Sequence, residues 1–402
     1  MQNLLTMLVV FAFASTVSAQ DQQVGARAKA MGGSYTAFED DPVSVWINPA
    51  GIATQADGFA LSYQTYTIYE PFAEEQGAAG SGPPEKVPGE YNWTDPALVP
   101  SYLGVVFSVG DEQSPQSFGF CFTTPFRLKF GWNDSPAIGD QFTAMSNQSF
   151  YRLRAAYARD FLFREPGTEG FLTHLSVGLG LDVSVTSWDF TNFNTGTPDT
   201  TQSFSGSDMG FGGGAGILVG LYDNTRSFKL NFAAAYQSKA AYNFSISSDI
   251  VPLFEWPNQF QAGVTMYLLE GLPLRVTIDA QLIDWDAASS GSSVAGRDDF
   301  SSSKNFSLGA EYRIQASEKI RIFPRAGIRW FDAPWDGKGP KDLPAINDFA
   351  LFISQKDGEF LIASFGCGFG WMNKEGKART FDLAGDIGGD APSFAMSFTM
   401  EF

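Results

Sequence analysis

Histidine and cysteine are almost missing from this chain: in 402 residues there is one of the former, His174, and there are two of the latter, Cys121 and Cys367. So small a set provides no ligand group for zinc or another transition metal and no disulfide scaffold. It also leaves no imidazole placed beside a nucleophile, so no catalytic residue is assigned. Basic residues are in deficit, with 26 Lys and Arg against 44 Asp and Glu, and the net charge of −18 argues against the clustered cations that nucleic acid requires. Long apolar runs are lacking too. After the first 20 residues no stretch approaches the ~20 apolar positions of a spanning helix. The glycine cluster Gly212-Gly213-Gly214-Ala215-Gly216 lies in a strand pattern with no helix after it, which rejects a phosphate loop. No cofactor is expected.

What the chain does contain is aromatic residues at 15%, including 38 Phe, together with 42 Gly, a pairing suited to strands and tight turns. Residues 4–14 form a short apolar core, and Val17-Ser18-Ala19 before Gln20 has the small-residue pattern of a cleavage site, so residues 1–19 read as a signal peptide. From residue 58 onward apolarity alternates in segments of about ten residues, the period of a strand with one face in lipid and one in a lumen. Leu175, Val177, Leu179, Leu181, Val183 and Val185 share one face, opposite Ser176, Gly178, Gly180, Asp182 and Ser184. Such segments fall near 58–68, 101–109, 116–130, 148–163, 171–187, 208–221, 226–238, 258–269, 272–284, 303–314, 319–331, 360–372, 378–385 and 392–402. That predicts fourteen strands. Short connections alternate with long ones at 69–100, 131–147, 188–207, 239–257, 285–302 and 333–359, as in outer-membrane barrels with short periplasmic turns and long outer loops. The expected fold is all-β: a fourteen-stranded antiparallel transmembrane β-barrel. In its last strand Phe394, Met396, Phe398, Met400 and Phe402 alternate with smaller or polar residues, an ending that resembles the signal read by the bacterial barrel-insertion machinery.

Residues 20–57 lack this alternation. They carry Met31-Gly32-Gly33, the acidic run Glu39-Asp40-Asp41 and then Asn48-Pro49-Ala50-Gly51. This stretch resembles the start of the FadL-like transporters of long-chain fatty acids and aromatic hydrocarbons. The resemblance implies an N-terminal plug, or hatch, over 20–57, with Asn48, Pro49, Ala50 and Gly51 as its motif, inside a barrel spanning 58–402. The third strand, with Gly119 and Pro125, is similar to the family's kinked strand, although Arg127 replaces a family glycine. Pro125 has no N–H and must break a ladder. In the family such a kink opens a lateral exit, which the resemblance places at Gly119 and Pro125.

Parity directs Arg127, Lys129, Arg152, Arg154, Lys229, Arg275, Arg313, Arg321, Arg325 and Arg329 inward, along with Asp182, Asp279 and Glu311. An ion-pair network joining wall and plug is the expected use of most of them. Arg127 and Lys129, beside the proposed opening, are candidate partners of a fatty acid carboxylate. Inward-facing Gly210, Gly212, Gly214, Gly216 and Gly220 leave space for the plug or a ligand. The apolar loop around Leu253, Phe254 and Trp256 suits capture of a greasy ligand, a role that the resemblance also implies. Cys121 faces inward and Cys367 lipid, so no bridge is expected. The expectation is passive uptake of hydrophobic small molecules or fatty acids across a bacterial outer membrane, with membrane lipid around the wall. The alternatives are a structural or secretion-associated plugged barrel and, less favoured, an outer-membrane enzyme or a general porin.

Overall fold

The computed structural model describes residues 24–38, 40–65, 98–111, 114–132, 142–165, 168–194, 202–224, 227–242, 256–268, 273–284, 302–332, 359–387 and 393–402. The signal-peptide region lies outside them. The wall strands are β1 (Gly58–Thr65), β2 (Leu98–Ser108), β3 (Gln116–Trp132), β4 (Phe142–Leu162), β5 (Gly170–Asn194), β6 (Gln202–Asn224), β7 (Phe228–Gln237) and β8 (Asn258–Leu268). They continue as β9 (Leu274–Asp284), β10 (Ser303–Tyr312), β11 (Ile314–Gln315), β12 (Ile320–Asp332), β13 (Glu359–Met372), β14 (Ala378–Ile387) and β15 (Ser393–Glu401).

From β1 to β10 and from β11 to β15 each strand pairs antiparallel with its sequence neighbour, and β1 pairs with β15 from Gly58↔Glu401 to Gln64↔Ala395, closing the ring. Strands β10 and β11 both lie on β12 and are separated only by Arg313, so they form one interrupted wall strand. The wall is therefore a closed antiparallel barrel of fourteen strands. Closure matters physically, since an open edge in hydrocarbon would leave backbone N–H and C=O groups without partners, at several kcal/mol each.

The period-2 pattern sets the two faces. On the outside Leu179, Leu181, Phe211 and Ile278 are each more than half exposed, while the intervening Asp182, Ser184, Thr277 and Asp279 are buried in the bore. An outer surface this apolar is stable against lipid and not against water. Among the described residues no helix is long and apolar enough to cross a membrane.

Two boundary expectations are corrected. The segments 131–147 and 188–207 were expected to be loops, yet β4 begins at Phe142, β5 runs to Asn194 and β6 starts at Gln202, with pairing unbroken from Phe142↔Asn194 to Leu162↔His174. Runs such as Asp189-Phe190-Thr191-Asn192 lack greasy alternation because ladder bonds alone extend a hairpin beyond the lipid. Arg313 was assigned to the bore. It is instead exposed in the break between β10 and β11, where its N–H donates to the Pro273 carbonyl.

Leu181→Lys, on the lipid face, should destabilise the barrel by about 2–4 kcal/mol, whereas Glu375→Lys in the β13–β14 turn should change stability by less than ~0.5 kcal/mol. Denaturant unfolding from phospholipid vesicles measures both.

Candidate functional site

The segment ahead of β1 owes its shape to short-range rules. Helix α1 (Ala26–Ala30) alternates Ala with Arg27 and Lys29, good helix formers throughout. It ends in a Schellman cap: the Gly33 N–H donates to Ala28 O and the Gly32 N–H to Lys29 O, with Gly32 at φ 69°. The Met-Gly-Gly of the sequence is this cap. Asp41 opens helix α2 (Ser44–Ile47) by accepting the Val43 N–H and also accepts the Tyr35 hydroxyl at 2.8 Å. Asn48 then caps the 3-10 turn Pro49–Ile52, its Oδ1 accepting the Ala50 N–H, with Pro49 preset for the first position.

This segment touches every long strand of the wall. Tyr102 on β2 donates to Pro42 O, Arg154 on β4 and Gln237 on β7 both donate to Trp46 O, and Gln261 on β8 donates to Ile47 O. Asp279 on β9 accepts the backbone N–H groups of Tyr35 and Thr36 and the Thr36 hydroxyl. Where no side chain reaches, glycine lets the backbone approach: a Cβ at Gly178 would stand 2.3 Å from Ala50 N, one at Gly216 1.9 Å from Asn48 Oδ1, and one at Gly327 2.3 Å from Gly32 N. Helix α1 packs Ala26 and Ala30 against Ala384 on β14 and Ala395 on β15, beside the closing seam. A chain segment in contact all round a closed cylinder lies within it.

Charge binds the two parts. Lys29 meets Asp386 at 2.8 Å, and Arg27 bridges Glu311 at 2.9 Å and Asp40 at 3.2 Å. Arg275 joins Asp40 at 2.9 Å, and Arg325 joins Glu311 at 2.6 Å and Asp382 at 2.5 Å. On the adjacent strands β4 and β5 Asp182 holds Arg154 at 2.6 Å and Arg152 at 3.0 Å, and the Arg152 guanidinium lies against the rings of both Trp46 and Trp256. Burial alone would raise the Asp40 carboxyl, but the Arg27 and Arg275 guanidiniums hold it down at about 2. Its contribution is thus complete above about pH 4 and is lost as pH falls toward about 2.

The expected inward glycines are occupied. Gly212 and Gly214 admit Arg152 and Arg154, and Gly216 admits Asn48. Asn48, Pro49, Ala50 and Gly51 are all buried against β5 and β6. Arg127 and Lys129 lie on the β3 backbone, but their side chains lie outside the described residues, as do Leu253 and Phe254 entirely. Trp256 was expected at an outer capture surface and is corrected: it is 3% exposed and packs on Trp46 and Phe150, with its ring against the Arg152 guanidinium. His174 sits near the short-turn end of β5 with Nδ1 2.9 Å from Asp160 Oδ1, an oxygen that also accepts the Ser176 hydroxyl. The serine bonds the carboxylate and not the imidazole, which gives no activated nucleophile. Asp382, Asp386, Arg27 and Lys29 were not assigned from sequence, although strand parity would have turned the two acids inward.

Pro125 interrupts its strand as expected. Pairing of β3 with β2 ends at Tyr102↔Thr123, and pairing with β4 skips between Thr123 and Phe126. Across the same seam Pro100 also lacks a donor, and two hydroxyls substitute, Thr123 donating to Ser101 O at 2.8 Å and Thr124 to Pro100 O at 2.7 Å. Gly119, grouped with this kink in the expectation, is corrected. It lies in intact ladders with Val106 and Ala156, and its missing Cβ leaves room for Val45 and Ile52 of the enclosed segment.

A cavity of about 60 Å³ lies between the enclosed segment, at Trp46 and Ile47, and the long-loop ends of β7, β8, β9, β10 and β12.

Neither a known family profile nor a curated protein matches the chain. Solved structures match its fold. A FadL homologue of Pseudomonas aeruginosa is 13% identical over 97% of this chain and 100% of its own, with a TM-score of 0.54. The toluene transporter TbuX of Ralstonia pickettii is 15% identical over 95% and 99%, at 0.54. The toluene transporter TodX of Pseudomonas putida is 13% identical over 95% and 99%, at 0.59. At such identities the likeness establishes the fold.

Asp182→Asn should leave two buried guanidiniums undercompensated and cost about 3–5 kcal/mol. The measurement is amide exchange across residues 44–52, expected to accelerate, together with a lower unfolding midpoint.

Proposed function

We propose that this chain is an outer-membrane channel for passive uptake of hydrophobic compounds, held shut at rest by residues 24–57 acting as a plug. The carrying observation is the combination of a bore filled by its own leading segment with a wall interrupted at the Pro100–Pro125 seam. Cargo soluble in lipid gains nothing from a straight aqueous pore, whereas a sideways path into the bilayer keeps it out of water. The seam is the route we assign to that exit. Replacing two absent N–H donors by threonine hydroxyls gives a junction weaker than a regular ladder. The toluene transporters that share the fold favour a hydrophobic cargo over a polar solute.

Long-chain fatty acids are the second cargo class, and Arg127 and Lys129 are our candidates for the carboxylate. They lie just past Pro125 on the same strand. In that reading Leu253 and Phe254 belong to the outer capture surface, and Asn48, Pro49, Ala50 and Gly51 form the hinge-like foot of the plug.

Proteoliposomes containing the protein should accumulate toluene faster than protein-free vesicles. The double variant Pro100→Val/Pro125→Val, which restores both donors, should slow that uptake about tenfold, and unchanged uptake in a folded variant would remove the lateral route. The double variant Arg127→Ala/Lys129→Ala should weaken palmitate binding more than toluene binding, as read by equilibrium dialysis. Equal losses would remove the carboxylate assignment.

A further inference from the structure

One cation of this wall stands outside the bore. Strand parity on β4 turns Tyr151, Leu153, Ala155, Tyr157, Arg159 and Phe161 toward lipid, and Arg159 is the only charged residue of that row. A guanidinium facing hydrocarbon is costly unless its long stem carries it to the membrane surface. Arg159 does reach that surface. Its Nη2 donates to Ser114 Oγ at 3.2 Å, in the short turn between β2 and β3, and its guanidinium carbon lies 5.1 Å from the centre of the Phe161 ring. The charge is therefore held at the level of the short, periplasmic turns, where the adjoining leaflet presents its headgroups.

The nearby carboxylates are engaged elsewhere. Asp160, the next residue in the chain, faces the bore, where it accepts the Ser176 hydroxyl and lies 2.9 Å from His174 Nδ1, and Glu169 accepts the Tyr222 hydroxyl. Among the described residues Arg159 has no carboxylate in ionic contact, unlike the paired cations of the bore. Beside it Tyr157 donates to Gln116 Oε1 at 2.6 Å, and Gln116 Nε2 donates to Ser114 Oγ at 3.4 Å. The serine oxygen thus accepts twice, and its own O–H is left as a second donor next to the guanidinium.

The patch offers donors and positive charge, bordered by the exposed rings of Phe118 and Phe161. A hydrocarbon uses none of the donors, and a free phosphate leaves both rings uncovered. A phosphodiester carrying acyl chains meets both demands, since its anionic oxygens accept from the guanidinium and the hydroxyl while the chains cover the rings. We infer that Arg159 and Ser114 hold the phosphate of an anionic phospholipid of the periplasmic leaflet, against the outer surface of β3 and β4. This site lies outside the bore and is independent of the cargo that passes through it.

Native mass spectrometry of the purified full-length protein, released from detergent after addition of dioleoyl phosphatidylglycerol, tests the site, with folding of each variant checked by heat-modifiable migration in electrophoresis. The protein should retain the lipid, and Arg159→Gln should retain about fivefold less. Lys374→Gln, which removes an exposed cation from the β13–β14 turn, should behave as the unaltered protein does. Ser114→Ala keeps the charge and should fall between these two variants, and it decides the matter alone if Arg159→Gln does not fold. Full retention by folded Arg159→Gln or by Ser114→Ala, or an equal loss in Lys374→Gln, would overturn the site. Displacement of the lipid by equimolar inorganic phosphate or palmitate would overturn its assignment to a phospholipid.

Discussion

A charge enclosed by a protein wall is tolerable where an opposite charge meets it, and the bore of this barrel is organised by that requirement. Lys29, Arg27, Arg275, Arg325 and the Arg152–Arg154 pair all have carboxylates within ionic contact, and each cluster except Arg152–Arg154–Asp182 and Arg325–Asp382 spans the boundary between wall and enclosed segment. The segment's helices have five and four residues, below the length at which helices persist alone, and its apolar side chains Val43, Val45, Trp46 and Ile52 pack in a cluster shared with the wall. Its position therefore derives from that shared cluster, the counter-ions, the backbone carbonyls offered to Arg154, Gln237 and Gln261, and glycines that let chain lie on chain. The polarity of the inner face and the conformation of the segment are one problem, solved jointly.

The wall was readable because lipid imposes a two-residue rhythm that survives turns and bulges. Leu175 through Val185 state it openly, and all fourteen strands lie near the positions that rhythm assigns. It failed where lipid no longer constrains one face. In 142–147, 188–194 and 202–207 the strands persist on ladder bonds alone, so residue type carried no signal. The break at Arg313 was invisible for a related reason, since apolarity continues through Ile314 while pairing pauses for one residue.

Within the bore, legibility depended on whether an argument was local. Strand parity turned Arg152, Arg154, Asp182, Asp279 and Glu311 inward, and Pro125 announced an interrupted ladder from its chemistry alone. Trp256 was misplaced because an aromatic beside Leu253 and Phe254 looks like an exposed patch until the fold brings Trp46 and Arg152 beneath it. Gly119 was misassigned because small size serves bending and close packing equally, and only the position of Val45 separates the two. The amides Gln237 and Gln261, which hold Trp46 O and Ile47 O, escaped notice for want of any sequence proximity to the segment they meet.

The glycine-to-backbone contacts at Gly178, Gly216 and Gly327 have a consequence for biogenesis. Among the described residues, chain is laid this closely on opposite walls of a closed cylinder, and α1 rests on the very strands that complete the ring. Seating of residues 24–57 and zipping of the last strand to the first are thereby coupled. The segment ahead of β1 is then the form around which the wall is cast.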